Sequence, residues 1–138
     1  MISLTQYFGQ HTVEPEVAEN ATTLLSKVNE FLSHYQGEIR MTSGYRSPEH
    51  NAKIGGAPAS KHMTGQAVDI ADYDKSLAKI CLLKVDLLDS LGLYCEDMRA
   101  TKNWVHFQTV RPKSGNRFFI PSLSWAAKLH GPLTLESL

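Results

Sequence analysis

Apolar residues along the chain follow two spacings, one of three to four residues and one of two, and the switches between them lay out the expected elements. From Pro15 onward, Val17, Ala21, Leu24, Leu25, Val28, Phe31, Leu32 and Tyr35 recur at three- and four-residue steps, the spacing of one helical face. Pro15 suits the first turn, where its missing N–H costs nothing, and Gly37 suits a stop. Glu38 to Tyr45 (EIRMTSGY) alternates Ile39 and Met41 with Arg40 and Thr42 and predicts a strand, after which Ser47-Pro48 opens a short turn or helix through Ala52. Gly55-Gly56-Ala57-Pro58 predicts a loop. Gln66 to Ala71 (QAVDIA), short, apolar and bounded by Gly65 and Asp72, predicts a buried strand. Asp74 is then expected to cap a second helix carrying Leu77, Ile80, Leu83, Leu87, Leu88 and Leu91 to a stop at Gly92. Leu93 to Glu96 and Trp104 to Val110 (WVHFQTV) predict strands around a polar connection, and Ser114-Gly115-Asn116 turns into a closing Phe118-Phe119-Ile120 segment. The sum is an α+β fold, a small mainly antiparallel sheet with helices on one face, which leaves the other face free to carry a site.

Composition narrows the function classes. At 138 residues with 42% hydrophobic and 20% charged content, residues 1–138 are expected to form a single domain with a core large enough to fold unaided. Lys and Arg total 14 against 14 Asp plus Glu, so no net field points to nucleic acid or to an anionic membrane surface. The apolar runs are short and broken by charge, and Met1 to Gln10 lack a basic start and an apolar core. Neither a signal peptide nor membrane insertion is therefore expected. Cys81 and Cys95 sit in no CxxC or Cys/His metal pattern and are expected as core thiols, with a disulfide between them left open.

The segment Ser60-Lys61-His62-Met63-Thr64-Gly65-Gln66-Ala67-Val68-Asp69 carries the most chemistry. It places an imidazole and a carboxylate on either side of a Gly turn, the second on a strand between Val68 and Ile70. An ionised carboxylate in such a strand is costly to desolvate unless it is paired or bound to a metal. Alternation sends Val68 and Ile70 to one face and Ala67, Asp69 and Ala71 to the other. Applied to Trp104-Val105-His106-Phe107-Gln108, it turns Val105 and Phe107 inward while Trp104, His106 and Gln108 share the opposite face, so His106 can meet Asp69 across the sheet. Two imidazoles and one carboxylate leave one position of a tetrahedral zinc open to water, the arrangement of catalytic rather than structural zinc. Taken singly, a strand-end Asp is as readily a cap or turn former, and a His near a strand an ordinary surface or core residue.

The pattern SxHxxGxAxD at Ser60, His62, Gly65, Ala67 and Asp69, followed by WxH at Trp104 and His106, resembles the metal signature of the M15 peptidases. That family includes D-Ala-D-Ala carboxypeptidases, D-Ala-D-Ala dipeptidases and phage L-alanyl-D-glutamate endolysins. Upstream, Thr42-Ser43-Gly44-Tyr45-Arg46-Ser47-Pro48-Glu49-His50-Asn51 resembles the family's SGYRSxxxN stretch, so the likeness spans roughly residues 38 to 110. The resemblance implies a hedgehog/DD-peptidase-like fold and one zinc ion held by His62, Asp69 and His106. It also implies that Arg46 faces the site, to stabilise an oxyanion or hold a carboxylate, and that Ser60 contacts substrate. Trp104 is a candidate substrate platform, although it could equally cover the metal or pack on the C-terminal segment. The implied activity is hydrolysis of a peptide bond in the peptidoglycan stem peptide, of carboxypeptidase or endolysin type. The expected setting is a phage endolysin or virion component acting on the wall as a monomer.

One position departs from the pattern. Many relatives carry Asp or Glu three residues before the last histidine as general base, and here that residue is Asn103, which cannot take a proton. Glu96 is the replacement expected from strand alternation, since Tyr94 and Glu96 share the face opposite Leu93 and Cys95 while Asp97 starts the loop. Two solvated loop acids are the plain alternative. The competing function is a non-catalytic zinc protein of the same fold that binds wall or builds a virion. His11, His34 and His130 receive no role, and His50, close to Arg46 along the chain, is either a site residue or, as is more common, an exposed turn histidine.

Overall fold

The computed structural model describes residues 1–138. Its centre is a five-stranded sheet of β1 (Met41–Ser43), β2 (Ala67–Ala71), β3 (Tyr94–Glu96), β4 (Trp104–Gln108) and β5 (Phe118–Phe119), in the order β1-β2-β4-β3-β5. All neighbours are antiparallel except β3 and β5, which run parallel. Two-residue alternation decides its faces. Val68, Ile70, Val105, Phe107, Leu93 and Cys95 all lie in the buried core, while Asp69, His106 and Glu96 belong to the alternate positions and turn to the other face.

Helices cover the apolar face. The long helix α2 (Pro15–Leu32), which follows the short α1 (Leu4–Phe8), lays Ala21, Leu24, Leu25, Val28, Phe31 and Leu32 on the sheet. Phe31 meets Phe107 with ring centroids 5.6 Å apart. Two further helices, α4 (Ser76–Leu83) and α5 (Val85–Leu91), add Leu77, Ala78, Cys81 and Leu88 to the same core. Burying each large apolar side chain contributes about 1.5–3 kcal/mol, so this layer is what holds β2 and β4 in register. The remaining helices are α3 (Pro48–Lys53) and α6 (Leu123–Ala126), with single 3₁₀ turns at Lys61–Thr64 and Leu135–Ser137. Cys81 and Cys95 are buried free thiols, and burial pushes the Cys81 thiol up. No helix is long and apolar enough to cross a membrane.

Several elements depart from the sequence reading. Helix α2 stops at Leu32, not near Gly37: the Ser33 hydroxyl donates to Glu30 O, and Tyr35 leaves the helix to meet the Ser76 hydroxyl at 2.7 Å. The strand expected over 38–45 shortens to Met41–Ser43, and its register against β2 shifts between those residues. The single helix through Leu91 is two, separated at Lys84 (φ −115°, ψ 39°), and Leu83 is 66% exposed rather than core. The main anchor of α4 is Asp72, whose carboxylate accepts from the N–H groups of Leu77 and Ala78 at 2.9 Å. Asp74 accepts from Ser76 outside it.

Helix α1 had no counterpart in the pattern. It is started by a reciprocal cap between Ser3 and Gln6. Through it, the Tyr7 hydroxyl donates to Ala67 O at 2.8 Å while Tyr7 O accepts from Tyr45 N. One residue thereby ties the start of β2 to the segment after β1.

Candidate metal centre

Register builds the site. Asp69 on β2 stands directly opposite His106 on β4, and Ser43 on β1 stands opposite Asp69. Strand β3 pairs Tyr94 with Gln108 and Cys95 with Phe107; one further step brings Glu96 beside His106, and Glu96 is in turn opposite Phe119 on β5. Ser43, Asp69, His106, Glu96 and Phe119 thus form one row across the sheet. Residues directly opposite one another share a face, so the row lies away from the helices.

His62 reaches this row from outside the sheet. It sits in the 3₁₀ turn Lys61–Thr64, which Gly65 closes at φ +75°. A Cβ at Gly65 would lie 2.5 Å from Val17 O, so only glycine permits both the left-handed turn and the close approach to α2. Asn20 on α2 also donates to Thr64 O. The turn is therefore pinned against the long helix, and it presents the His62 ring to the sheet.

Ligand-type atoms of His62, Asp69 and His106 all lie within 4.8 Å of one another, and all three residues are buried. His62 Nε2 is 3.3 Å from Asp69 Oδ2, and His106 Nδ1 is 2.9 Å from Asp69 Oδ1. The opposite ring nitrogens are engaged: His62 Nδ1 donates to Gly44 O at 2.8 Å, and His106 Nε2 donates to Gln108 Oε1 at 2.8 Å. In the neutral rings both remaining nitrogen lone pairs then face the Asp69 carboxylate. Acceptors gathered around one point suit a cation between them, and a fixed partner on the far nitrogen is what orients imidazole ligands. The residues present fit a divalent ion, with the chemistry of a two-imidazole, one-carboxylate donor set.

Without an ion, protons take the same place. Burial works against charging His106, but the hydrogen bond to Asp69 and the Glu96 carboxylate outweigh it and lift His106 to about 9. Burial would likewise raise the Asp69 carboxyl. Hydrogen bonds to His106 and His62 win, and hold it below the ordinary carboxylate range.

The other expected site residues line the same cleft, of about 410 Å³: Arg46, Ser60, Glu96 and Trp104. Arg46 Nη2 lies 3.7 Å from Asp69 Oδ2, its Nε donates to Ser43 Oγ, and its Nη1 reaches Asn51 Oδ1 at 3.4 Å. The Ser60 hydroxyl accepts from His62 N, which leaves its own proton free to donate into the cleft. Trp104 is half-buried at the start of β4. Glu96 Oε1 is 3.9 Å from His106 Nδ1, with 24% of its side chain exposed, so it is close to the centre and still reachable from the cleft.

Asp97 and Asn103 fall elsewhere. Asp97 is not a solvated loop acid: its side chain is 4% exposed and takes both prongs of the Arg99 guanidinium. Asn103 is exposed and does not line the cleft.

Two contributors were not read from the sequence. Gln108 falls on the site face by strand alternation, but its contact with His106 depends on its own amide orientation. Asn51 closes the SGYRSxxxN stretch, where spacing along the chain names no partner for it. It is 3% exposed, holds Ala57 O through Nδ2 and meets Arg46 through Oδ1, so it joins the 55–58 loop to the guanidinium.

An open cleft in which two imidazoles and a carboxylate converge on one point, with a further carboxylate and a guanidinium beside it, is built to hold one divalent ion with a position left open. The family model for Peptidase M15 matches residues 2–111, and the chain belongs to that family. Its membership points to metallopeptidase chemistry. No curated protein matches the chain.

Proposed function

We propose that this chain is a zinc peptidase that hydrolyses a peptide bond in the peptidoglycan stem peptide, as a carboxypeptidase or an endolysin. The observation that carries the reading is the row Asp69–His106–Glu96, which sets a second carboxylate beside the metal-type donors and open to the cleft. His62, Asp69 and His106 would hold the ion, which when bound supplies Lewis acidity, lowering the pKa of a water and polarising the scissile carbonyl. Glu96, within reach of the cleft, takes the proton from the attacking water and returns it to the leaving amine. Arg46, held by Ser43 and Asn51, directs a fixed guanidinium at the developing oxyanion or at a substrate carboxylate. Ser60 donates a hydrogen bond to the peptide, and Trp104 offers it an apolar wall.

The second reading, a non-catalytic zinc protein that binds wall or builds a virion, is motivated by Asn103. Against it stands the position of Glu96, the carboxylate that β3 brings to 3.9 Å from His106. In the proposed setting the chain acts on the bacterial wall as a phage endolysin or virion-borne hydrolase; family likeness is the support for this. The test is digestion of purified peptidoglycan by zinc-loaded protein beside a chelated control, with products weighed to locate the cut bond. Metal-dependent release of new amines is expected. Stoichiometric zinc with no release from several wall types would favour the second reading.

A further inference from the structure

The walls of the cleft carry an excess of positive charge that the metal centre does not use. Arg46, Lys61, Arg111 and Lys113 line it against two carboxylates, Asp69 and Glu96, although the whole chain is neutral. Asp69 is taken by His106, His62 and Arg46, and Glu96 lies against His106. Lys61, Arg111 and Lys113 enter no ion pair.

These three cations gather at one end of the sheet. Ala67 at the start of β2 is opposite Gln108 at the end of β4, and Thr109 N donates to Gln66 O. The turn that enters β2, with Lys61, therefore lies beside the segment that leaves β4, with Arg111 and Lys113. Trp104 is at the opposite end of β4, with His106 between. At about 3.4 Å per residue, Arg111 is no more than about 17 Å from His106 along the strand direction, which an extended peptide spans with about five residues.

Arg111 is also seated. A tight turn closes beneath it, with Gly115 N donating to Pro112 O at 2.9 Å. Gly115 has φ +72°, and a Cβ there would lie 2.4 Å from Arg111 Nη2. The guanidinium thus lies over Gly115, and a side chain at that position would push it aside. Lys113 and Gly115 lie past the residues that match the family model.

We propose that Arg111 and Lys113, with Lys61 beside them, form an anion subsite that selects acidic peptides by holding a substrate carboxylate outside the metal centre. The proposal rests on the peptidase reading of the cleft and names its substrate class. A guanidinium takes a carboxylate through two parallel hydrogen bonds, and an amide in its place offers only one acceptor and no charge.

The experiment compares two synthetic stem pentapeptides that differ only at the glutamate α-carboxyl, free in one and amidated in the other. Their binding to the zinc-loaded full chain is followed by calorimetry and their cleavage by mass. The free acid should bind about tenfold tighter, with a preference that shrinks as salt rises. Arg111→Gln with Lys113→Gln should erase the preference while leaving the melting temperature, zinc content and cleavage of the amidated peptide unchanged. Gly115→Ala, which displaces the Arg111 guanidinium, should reduce the preference in part.

Equal binding of the two peptides by the unaltered protein, no binding of either, or a preference that survives the double substitution would overturn the subsite. A preference that depends on Arg111 and Lys113 without cleavage of either peptide would uphold the subsite and overturn the peptidase reading. Cleavage without preference would do the reverse.

Discussion

Gln108 Oε1 accepts a hydrogen bond from His106 Nε2 at 2.8 Å, and Gln108 Nε2 donates to Val110 O at 2.7 Å. The second contact decides the first: a backbone carbonyl can only accept, so the amide must turn its own oxygen to the imidazole. His106 is thereby given its proton on Nε2, and Nδ1 is the nitrogen aimed at Asp69. Gln108→Leu should lower zinc affinity about 10- to 100-fold, read by competition with a chromogenic chelator, while Gln108→Glu, which still accepts, should recover part of it. Unchanged affinity in the leucine variant would remove Gln108 from the centre.

The three ligand-type residues should act as a unit. His62→Ala and Asp69→Ala are each expected to lose bound zinc and any peptidase activity together, with affinity falling by more than about 100-fold. Elemental analysis after gel filtration gives the answer. Retention of one zinc per chain by both variants would show that the ion sits elsewhere.

Glu96→Gln separates metal binding from proton transfer. The amide preserves shape, so zinc should stay, while turnover on peptidoglycan should drop by about 10²- to 10⁴-fold. Asp97 does not stand in, because Arg99 occupies both of its oxygens. Turnover close to that of the parent would exclude Glu96 as the base.

Acidity should affect the metal-free protein in a defined direction. His106 is raised from 6.5 to about 9 in the folded chain, so its contribution to stability is complete below about pH 6.5 and is lost as pH rises through about 9. Asp69 is lowered, so its contribution is present above the unfolded carboxylate value of about 3.9 and is lost in stronger acid. Chelated protein should therefore melt highest between about pH 4 and pH 6.5 as far as this pair decides. An ion must also displace the His106 proton, so zinc affinity should climb with pH up to about 9. A melting temperature and a zinc affinity that are both flat from pH 6 to 9 would contradict the assignment.

The anchor of α4 can be tested by stability alone. Asp72 accepts from two N–H groups of the first turn while 2% exposed, and Asp72→Ala leaves both unpaired. A loss of about 1–2 kcal/mol is expected in urea unfolding. A change below about 0.3 kcal/mol would mean that water replaces the carboxylate freely.

Sequence by itself determined which side chains can share the site face. Side-chain alternation in a strand is a local property of the backbone, so Val68 and Ile70 against Asp69, and Val105 and Phe107 against His106, could be assigned before any strand was paired. The same holds for α2, whose apolar stripe is set by helical pitch, and for the turn at Gly65. Tertiary structure alone decided the rest, because each remaining feature is a contact between distant parts of the chain. Leu77 to Leu91 reads as one apolar helix, yet it breaks at Lys84 and leaves Leu83 in solvent. The anchoring of α4 fell to Asp72 because the end of β2 brings that carboxylate under the first turn. Asn51 holds Arg46, Gln108 orients His106 and Glu96 comes level with His106 only through strand register and loop closure. Which face a residue takes is written in its neighbours along the chain; which partner it meets there depends on how strands and loops pack across the sheet.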